Sequence, residues 1–360
     1  MVTHSDQRRP EVVVKRYPSM MEIILNRPHV INALTTEMIL QIRQALDEAA
    51  KKDRYHFVLL LGTGNRGFCA GADLKRLAAA VKEKSFSVAD QFFQEEYALD
   101  LFIHRFPKPV IVAADGITMG GGLGISAAAN IVIATEQTLM AMPETRIGFF
   151  PDVGATGWMF VRCPKGYPEY LGLTGYEMKG AECIRLGMAN SLIKRDDLPR
   201  LRRALQGFSE KLSEEKEEAA WHLRSHLAPF LRKDIRSDPE MDAWVATHFA
   251  GKTSFREIMD SLSRCSQEDQ RCQDVYRRLS ERSPTALVLT LTLLRYNEGH
   301  SLEEVFDSEG RAARFIIRHP DYLEGIRARI LDKDDQPHWQ PATTAEVTLP
   351  EMRFFIEKGS

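Results

Sequence analysis

The stretch VIVAADGITMGGGLG, residues 110–124, indicates the fold of this chain more directly than any other. It begins with a continuous apolar run, Val110 to Ala114, and passes through a glycine cluster to an apparent helix from Leu123. A continuous apolar run of this length predicts a strand that is buried on both faces, as in a parallel sheet covered by helices. Glycines that follow such a strand let the backbone turn tightly and approach a ligand closely.

The same alternation of strand and helix patterns extends over residues 1–195. Apolar runs predict strands at Val12–Val14, Met21–Leu25, Phe57–Leu61, Val110–Ala114, Ile131–Ala134 and Leu139–Ala141. Helical spacing predicts helices over Thr35–Ala50, with Thr35 as the cap, and over Asp90–Phe106. We therefore expect an α/β domain built from β-β-α repeats.

From Asp196 onward the pattern changes, and residues 196–360 are expected to form a helical C-terminal region. Lys and Arg alternate with Glu, the β-type runs disappear, and helical spacing continues in SFREIMDSL, SPTALVLTLTLLRY and SLEEVFDSEGRAARFIIR. No long Gly/Ser linker separates the two parts. We expect the helices to pack on the α/β core.

Composition excludes several classes of function. The chain has 360 residues with 48 basic and 50 acidic side chains, a net charge of −2 at pH 7. This balance argues against a nucleic-acid or anionic-membrane partner. The longest apolar stretches fall far short of the roughly 20 residues of a membrane helix, and the N-terminal residues lack a secretory apolar segment. We therefore expect a cytoplasmic protein.

Several motif-like features are weak. Five cysteines without a C-x-x-C pair predict neither a disulfide framework nor a zinc site, and Cys69 is expected to be a buried packing residue. His222 and His226 share a helix face, but the glutamate of H-E-x-x-H is missing, which favours a solvated face. The run Gly122-x-Gly124-x-x-Ala127 only loosely matches a dinucleotide motif. We expect no metal and no cofactor.

Three segments carry candidate chemistry. In RGFCAGADL, residues 66–74, and in residues 116–124, the chain leaves a strand through small residues toward a helix. Two backbone N–H groups that converge there could form an oxyanion hole, although both segments could also be ordinary tight turns. In the third segment, MPETRIGFFPDVG, apolar neighbours surround Glu144 and Asp152, which suits acid/base or nucleophilic work. The alternative is that both carboxylates cap helices.

The motifs NRPHVINAL, FCAGADL, ITMGGGLG and PETRIGFFPDVG, in this order, resemble the crotonase (enoyl-CoA hydratase/isomerase) superfamily. Two segments of the chain are similar to those of the branch that hydrolyses 3-hydroxyisobutyryl-CoA. They are PETRIGFFPDVG and the distal run DYLEGIRARILDKDDQPHWQP, residues 321–341. The resemblance implies a crotonase-like β-β-α spiral core with a helical C-terminal region. It also implies an acyl-CoA thioester as the bound substrate.

Carried over by position, the resemblance implies roles for individual residues. The backbone N–H groups of Ala72 and Gly121 would form the oxyanion hole, with Glu144 and Asp152 as the catalytic carboxylates. Glu96 matches a further substrate-contacting glutamate of the hydrolases, so that Glu96, Gly121, Glu144 and Asp152 would bind the substrate. Coenzyme A would be contacted by Ala72, Asp73, Leu74 and Lys75.

The resemblance also bears on which reaction is catalysed. Hydratases carry a second catalytic glutamate at the position of Gly124, so the hydratase pair of acids is broken here. We therefore expect hydrolysis of a short-chain 3-hydroxyacyl-CoA, 3-hydroxyisobutyryl-CoA in valine catabolism. An enoyl-CoA hydratase/isomerase and a non-catalytic acyl-CoA-binding protein are the alternatives, and a homo-oligomer is possible. After Gly154 the chain departs from the hydrolase pattern at Ala155–Phe160, so the acyl pocket could differ.

Overall fold

The computed structural model describes residues 10–232, 235–348, 352, 353, 356 and 357. Within these residues, strands form one six-stranded and one four-stranded sheet. The strands are β1 (Val12–Arg16), β2 (Met20–Leu25), β3 (Phe57–Gly62), β4 (Gly67–Cys69), β5 (Val110–Ala114), β6 (Ile117–Met119), β7 (Ile131–Thr135), β8 (Leu139–Ala141), β9 (Met178–Lys179) and β10 (Ser191–Ile193).

The two sheets grow together along the chain. The larger sheet has the order β1-β2-β3-β5-β7-β10, and only β1 runs antiparallel to its neighbour. In the smaller sheet, of order β4-β6-β8-β9, the strands β4, β6 and β8 are parallel. Each of β3, β5 and β7 is thus followed by a strand of the smaller sheet. This arrangement confirms the β-β-α repeat and the α/β spiral core.

Seven helices accompany the strands in the described part of residues 1–195. They are α1 (Thr36–Lys51), α2 (Leu74–Lys82), α3 (Phe86–His104), α4 (Gly121–Ala128), α5 (Ala155–Arg162), α6 (Tyr167–Thr174) and α7 (Ala181–Arg185). The Thr35 hydroxyl caps α1 by accepting the Met38 amide at 3.2 Å, as its sequence position predicts. Helix α4 begins at Gly121, two residues before the start that the glycine-rich sequence suggested.

The remaining helices confirm the helical character of the C-terminal part. They are α8 (Leu198–Gln206), α9 (Lys216–Leu227), α10 (Pro239–Phe249), α11 (Phe255–Cys265), α12 (Gln270–Ser280), α13 (Pro284–Asn297), α14 (Leu302–Ile316) and α15 (Pro320–Ile326). Side-chain caps at Ser254, Ser283 and Ser301 start the three helices that the spacing predicted. A helical turn, Arg327–Leu331, continues α15.

Helices cover the large sheet on both faces. Leu201 and Leu205 of α8 and Leu223 of α9 pack against one face, where strand residues such as Phe57 and Ile131 are buried. The other face belongs to a core that also includes α1, α3 and helices α10 to α14. Helix α14 contacts α3, and α13 contacts α5 and α6. The helices thus pack on the α/β part, while the domain boundary at residue 195 stays a prediction.

Cys265 and Cys272 form a disulfide, so the expectation that the cysteines form none is wrong for this pair. The turn between α11 and α12 brings their Cα atoms to 5.8 Å, a separation that their spacing of seven residues does not reveal by itself.

In the described ranges, no helix is both long and apolar enough to span a bilayer.

Candidate active site

The smaller sheet brings three chain segments to one edge. Its strands β4, β6 and β8 are parallel neighbours, so their carboxyl ends meet at the same side. The segments that leave them are 70–73, 120–121 and 142–144, which contain Ala72, Gly121 and Glu144. These are three of the residues that the sequence assigned to the site. The topology of the sheet therefore brings together residues that span 72 positions of the chain, from Ala72 to Glu144.

Two backbone amides at this edge are available to a ligand. Leu34 exchanges hydrogen bonds with Gly71 and Asp73, so the Ala72 N–H between them points away from Leu34. Gly121 is the first residue of α4, where a helix leaves its amides unpaired. Neither amide donates a hydrogen bond within the residues that the structure describes. Since a Cβ on Gly71 would lie 3.3 Å from the Gly121 nitrogen, the two loops are in contact.

A cavity of about 280 Å³ opens beside these amides. Its lining includes most of the predicted site residues: Ala72, Leu74, Glu96, Gly121, Glu144 and Asp152. Asp73 does not line the cavity; it caps α2 and forms an ion pair with Arg27 at 3.0 Å. Lys75 is exposed and also lies outside the lining. A contact of Asp73 or Lys75 with coenzyme A stays a prediction.

Three buried carboxyl groups face the cavity. Glu144 lies directly after β8 in a 3₁₀ turn, Glu144–Ile147, and Glu96 lies on α3. Glu96 Oε1 and Glu144 Oε2 are buried and have no hydrogen-bond partner in the described part of the chain, although buried polar atoms nearly always have one. Asp152 Oδ2 accepts a hydrogen bond of 2.8 Å from the Tyr97 hydroxyl. The unpaired oxygens are the groups that a bound polar ligand can satisfy.

Glycine is required where the loop at Gly120 and Gly121 meets these carboxyl groups. A Cβ on Gly121 would lie 2.0 Å from Glu96 Oε1, and a Cβ on Gly120 would lie 3.1 Å from Glu144 Oε1. Both glutamates therefore reach the backbone of the loop itself. A carbonyl group held by the Gly121 amide would lie next to them.

Burial makes this cluster hold protons at unusually high pH. It raises the pKa of Glu96 and of Glu144 well above the usual range, and the nearby Asp152 charge raises both further. Burial also raises the pKa of Asp152 to about 7, against the lowering effect of the Tyr97 hydrogen bond. A pKa of about 7 suits Asp152 for proton exchange near neutral pH.

Gly124 leaves no room for a second catalytic acid. A Cβ at this position would lie 2.6 Å from Val153 Cβ and 2.7 Å from Asp100 Oδ2. Asp100 is fully buried, and neither of its oxygens has a hydrogen-bond partner among the residues that the structure describes. Burial raises its pKa well above the usual range, and the Asp152 and Glu309 charges add to the effect. A side chain at position 124, where the resemblance places the second acid of hydratases, therefore does not fit this packing.

Several cavity residues were not predicted from the sequence. Phe93 stacks on Phe149 with ring centroids 5.1 Å apart, and Phe149 lies 5.8 Å from the Tyr322 ring. These rings and Arg329 line the cavity, and Tyr97 reaches it through Asp152. Tyr322 and Arg329 belong to the distal run of residues 321–341, which was noted as a motif but given no role. That run was the signal that could have located them.

The weaker motifs take no part in the cavity. Cys69 is buried in β4, and burial raises the pKa of its thiol to about 12, so it is a packing residue as expected. His222 is exposed on α9, and the His226 ring packs edge-on against Phe208. The departure at Ala155–Phe160 lies on α5, outside the cavity lining.

Known proteins match the chain over nearly its full length. A family model described as enoyl-CoA hydratase/isomerase matches residues 20–356. The mitochondrial 3-hydroxyisobutyryl-CoA hydrolase of Gallus gallus is 35% identical over 350 residues, which cover 96% of this chain and 88% of the relative. The Homo sapiens protein of the same name is 34% identical over 355 residues, covering 98% and 89%.

Solved structures show the same fold. A carnitinyl-CoA dehydratase from Mycobacterium thermoresistibile superposes with a TM-score of 0.86 at 32% identity, covering 97% of this chain and 96% of that one. An enoyl-CoA hydratase from Rhodobacter sphaeroides gives a TM-score of 0.85 at 30% identity, with 97% of both chains covered.

Proposed function

The chain belongs to the enoyl-CoA hydratase/isomerase family, and we propose that it hydrolyses a short-chain 3-hydroxyacyl-CoA thioester. The substrate that we propose is 3-hydroxyisobutyryl-CoA, which the names of its relatives specify, and the products are 3-hydroxyisobutyrate and free coenzyme A in valine catabolism. The observation that carries the proposal is the cavity itself. It combines two free backbone amides with Glu144 and Asp152, whereas Gly124 excludes the second acid of a hydratase.

The first requirement of thioester hydrolysis is a site for the developing oxyanion. In the proposal, the thioester carbonyl oxygen accepts hydrogen bonds from the Ala72 and Gly121 amides. Attack on the carbonyl carbon places negative charge on this oxygen, and fixed donors stabilise that charge. The loss of one such donor typically lowers the rate about 100- to 1,000-fold.

The second requirement is a nucleophile, and we assign this role to Glu144, which reaches the loop beside the amide pair at Gly120. Its oxygen can attack the carbonyl carbon to give a mixed anhydride, expelling the coenzyme A thiolate, and water then hydrolyses the anhydride. Alternatively, Glu144 takes a proton from a water molecule that attacks directly. Both routes need an ionised Glu144. Because its pKa is raised, hydrolysis should accelerate as the pH rises and the cluster loses a proton.

Asp152 has two candidate roles. With a pKa raised to about 7, it can hold a proton near neutral pH and give it to the departing thiolate. It can also bind the hydroxyl of the acyl group, as a carboxylate in a buried site binds such a donor strongly. Glu96, whose free oxygen faces the same cavity, is a further acceptor for that hydroxyl.

The test is the release of free coenzyme A across a panel of acyl-CoA substrates that includes 3-hydroxyisobutyryl-CoA. Glu144→Gln should nearly abolish turnover while acyl-CoA affinity stays within a few fold, since glutamine keeps the size but is neither base nor nucleophile. Glu177→Gln is the matched control, because Glu177 also lines the cavity but is exposed. Near wild-type turnover of Glu144→Gln would remove Glu144 from the mechanism.

A hydration assay on crotonyl-CoA, run beside this panel, separates the alternatives. A hydratase would add water to crotonyl-CoA without releasing coenzyme A, and one solved structure with this fold is named an enoyl-CoA hydratase. A non-catalytic acyl-CoA-binding protein would bind every substrate and release no thiol. Faster hydration of crotonyl-CoA than hydrolysis of 3-hydroxyisobutyryl-CoA would refute the proposal.

Location and assembly also belong to the proposal. We keep the cytoplasmic location that the sequence favoured, although the relatives' names assign those proteins to mitochondria. Subcellular fractionation in the source cell tests this point. A homo-oligomer is proposed as well, and sedimentation equilibrium of the purified chain measures it.

A further inference from the structure

Three side chains of metal-binding type meet outside the candidate active site. His248 lies on α10, Cys265 is the last residue of α11 and Cys272 lies on α12. One ring nitrogen and the two sulfurs all lie within 4.8 Å of one another. We propose that, when the two cysteines are reduced, these three residues bind one zinc ion.

The distances fit tetrahedral coordination. Zinc binds thiolate sulfur at about 2.3 Å and imidazole nitrogen at about 2.0–2.1 Å, so a tetrahedral site places these two ligand atoms roughly 3.5 Å apart. His248 Nε2 lies 3.6 Å from Cys272 Sγ. In the same geometry two thiolates lie roughly 3.8 Å apart. The Cα atoms of Cys265 and Cys272, 5.8 Å apart, allow this by side-chain rotation once the disulfide is reduced.

The histidine ring is held in the orientation that a ligand needs. Its Nδ1 atom lies 2.8 Å from the Ser261 hydroxyl, on the opposite side of the ring from the sulfurs. When Nδ1–H donates to this hydroxyl, Nε2 carries the lone pair and directs it at Cys272. A partner on the second ring nitrogen is typical of metal-binding histidines, where it fixes both the tautomer and the ring angle.

The environment suits a buried site with one accessible side. Cys272 is fully buried and His248 is 7% exposed, whereas Cys265 is only partly buried. Three protein ligands leave the fourth position of a tetrahedral zinc ion for a water molecule, which the accessible side can supply. The ion would join three consecutive helices, of which α10 and α12 also pack on α6. Zinc should therefore stabilise this helical layer.

Zinc binding and the disulfide exclude each other. A dithiol reductant gives two electrons and two protons to the disulfide and is itself oxidised to a disulfide, which leaves Cys265 and Cys272 as thiols. Zinc then binds their thiolate forms and releases both protons. A disulfide sulfur is not a thiolate and becomes one only after reduction, so the oxidised protein lacks the two sulfur ligands.

The experiment is a zinc titration of the full-length protein, reduced and kept free of oxygen, in competition with a chromophoric chelator. We expect one equivalent of zinc to bind, and the Tm of the reduced protein to rise with zinc concentration. The air-oxidised protein should bind none at this site. Cobalt in place of zinc should give a sulfur-to-metal charge-transfer band, which shows thiolate ligation directly.

Single substitutions separate this site from adventitious binding. Cys265→Ser and Cys272→Ser should remove the equivalent, while Cys163→Ser, at a partly buried free cysteine, should keep it. Ser261→Ala should lower zinc affinity about 10- to 100-fold, the usual effect of losing such a histidine partner. The proposal is overturned if the reduced wild type binds no more zinc than Cys265→Ser, or if its cobalt form lacks the charge-transfer band.

Discussion

Replacing Tyr97 by phenylalanine should move the pH dependence of thioester hydrolysis upward by about 1 to 2 pH units. The Tyr97 hydroxyl donates a hydrogen bond of 2.8 Å to Asp152, and both side chains are buried. A hydrogen bond to a charged group is worth about 1.5–3 kcal/mol, and one pKa unit corresponds to about 1.4 kcal/mol. Its loss should therefore raise the pKa of Asp152 from about 7 by about one to two units.

The direction of the pKa shift follows from which form of Asp152 the Tyr97 hydroxyl stabilises. It donates to the ionised carboxylate, so removing it favours the protonated acid. If Asp152 protonates the departing thiolate, the variant should stay active to higher pH than the wild type. If Asp152 acts as an ionised group, the variant should lose rate at pH 7 and recover it at higher pH.

The assay is kcat/KM for coenzyme A release between pH 5 and pH 10, for wild type and variant. Tyr322→Phe is the matched control, because Tyr322 lines the same cavity but its hydroxyl has no hydrogen-bond partner among the described residues. Its profile should keep the wild-type midpoints. If both limbs of the Tyr97→Phe profile coincide with those of the wild type, Asp152 does not control the rate through its ionisation.

Three further variants test the site and its support. Asp152→Asn tests whether Asp152 binds the substrate hydroxyl. If it does, the ratio of kcat/KM for 3-hydroxyisobutyryl-CoA to kcat/KM for isobutyryl-CoA should fall about ten- to 100-fold. An unchanged ratio would assign Asp152 to the chemical step. Gly124→Ala should destabilise the protein by about 1–3 kcal/mol in urea unfolding through its overlap with Val153, whereas Gly207→Ala, whose nearest contact is at 3.6 Å, should be close to neutral. Burial raises the pKa of Glu309 from 4.5 to about 8, so its stabilising contribution is full below pH 4.5 and is lost as the pH rises to 8. Glu309→Gln should therefore unfold with a smaller difference between pH 5 and pH 8 than the wild type.

The sequence predicts the large sheet well because its central strands are long and apolar. Val110–Ala114 is predicted with the bounds that the structure shows, and Phe57–Leu61 to within one residue. The strands of the smaller sheet were mostly missed. Gly67–Cys69 and Ile117–Met119 are only three residues long, and each lies within a stretch that reads as a turn. A period of two residues cannot be recognised over so short a length.

The active-site residues that the sequence predicts are those in recognisable segments that follow strands. Gly121, Glu144 and Asp152 lie within glycine-rich or proline-rich segments after strands, where such residues are expected to have a function. Tyr97 was missed because its role depends on Asp152, 55 residues away on another element. The glycines of α4 misled the prediction of its start. Glycine disfavours helix, but at Gly121 a side chain would collide with Glu96.

The packing around Gly124 favours the proposed hydrolysis over hydration. The resemblance implies that hydratases grip one water molecule between two carboxylates, one of them at this position. Here Val153 and the Asp100 carboxyl occupy the space that such a side chain needs. Glu144 and Asp152 line one cavity with the two amides that we propose bind the carbonyl oxygen. Gly124→Glu alone should therefore not confer hydration, because the new side chain would meet Val153 before its carboxylate reached a water molecule.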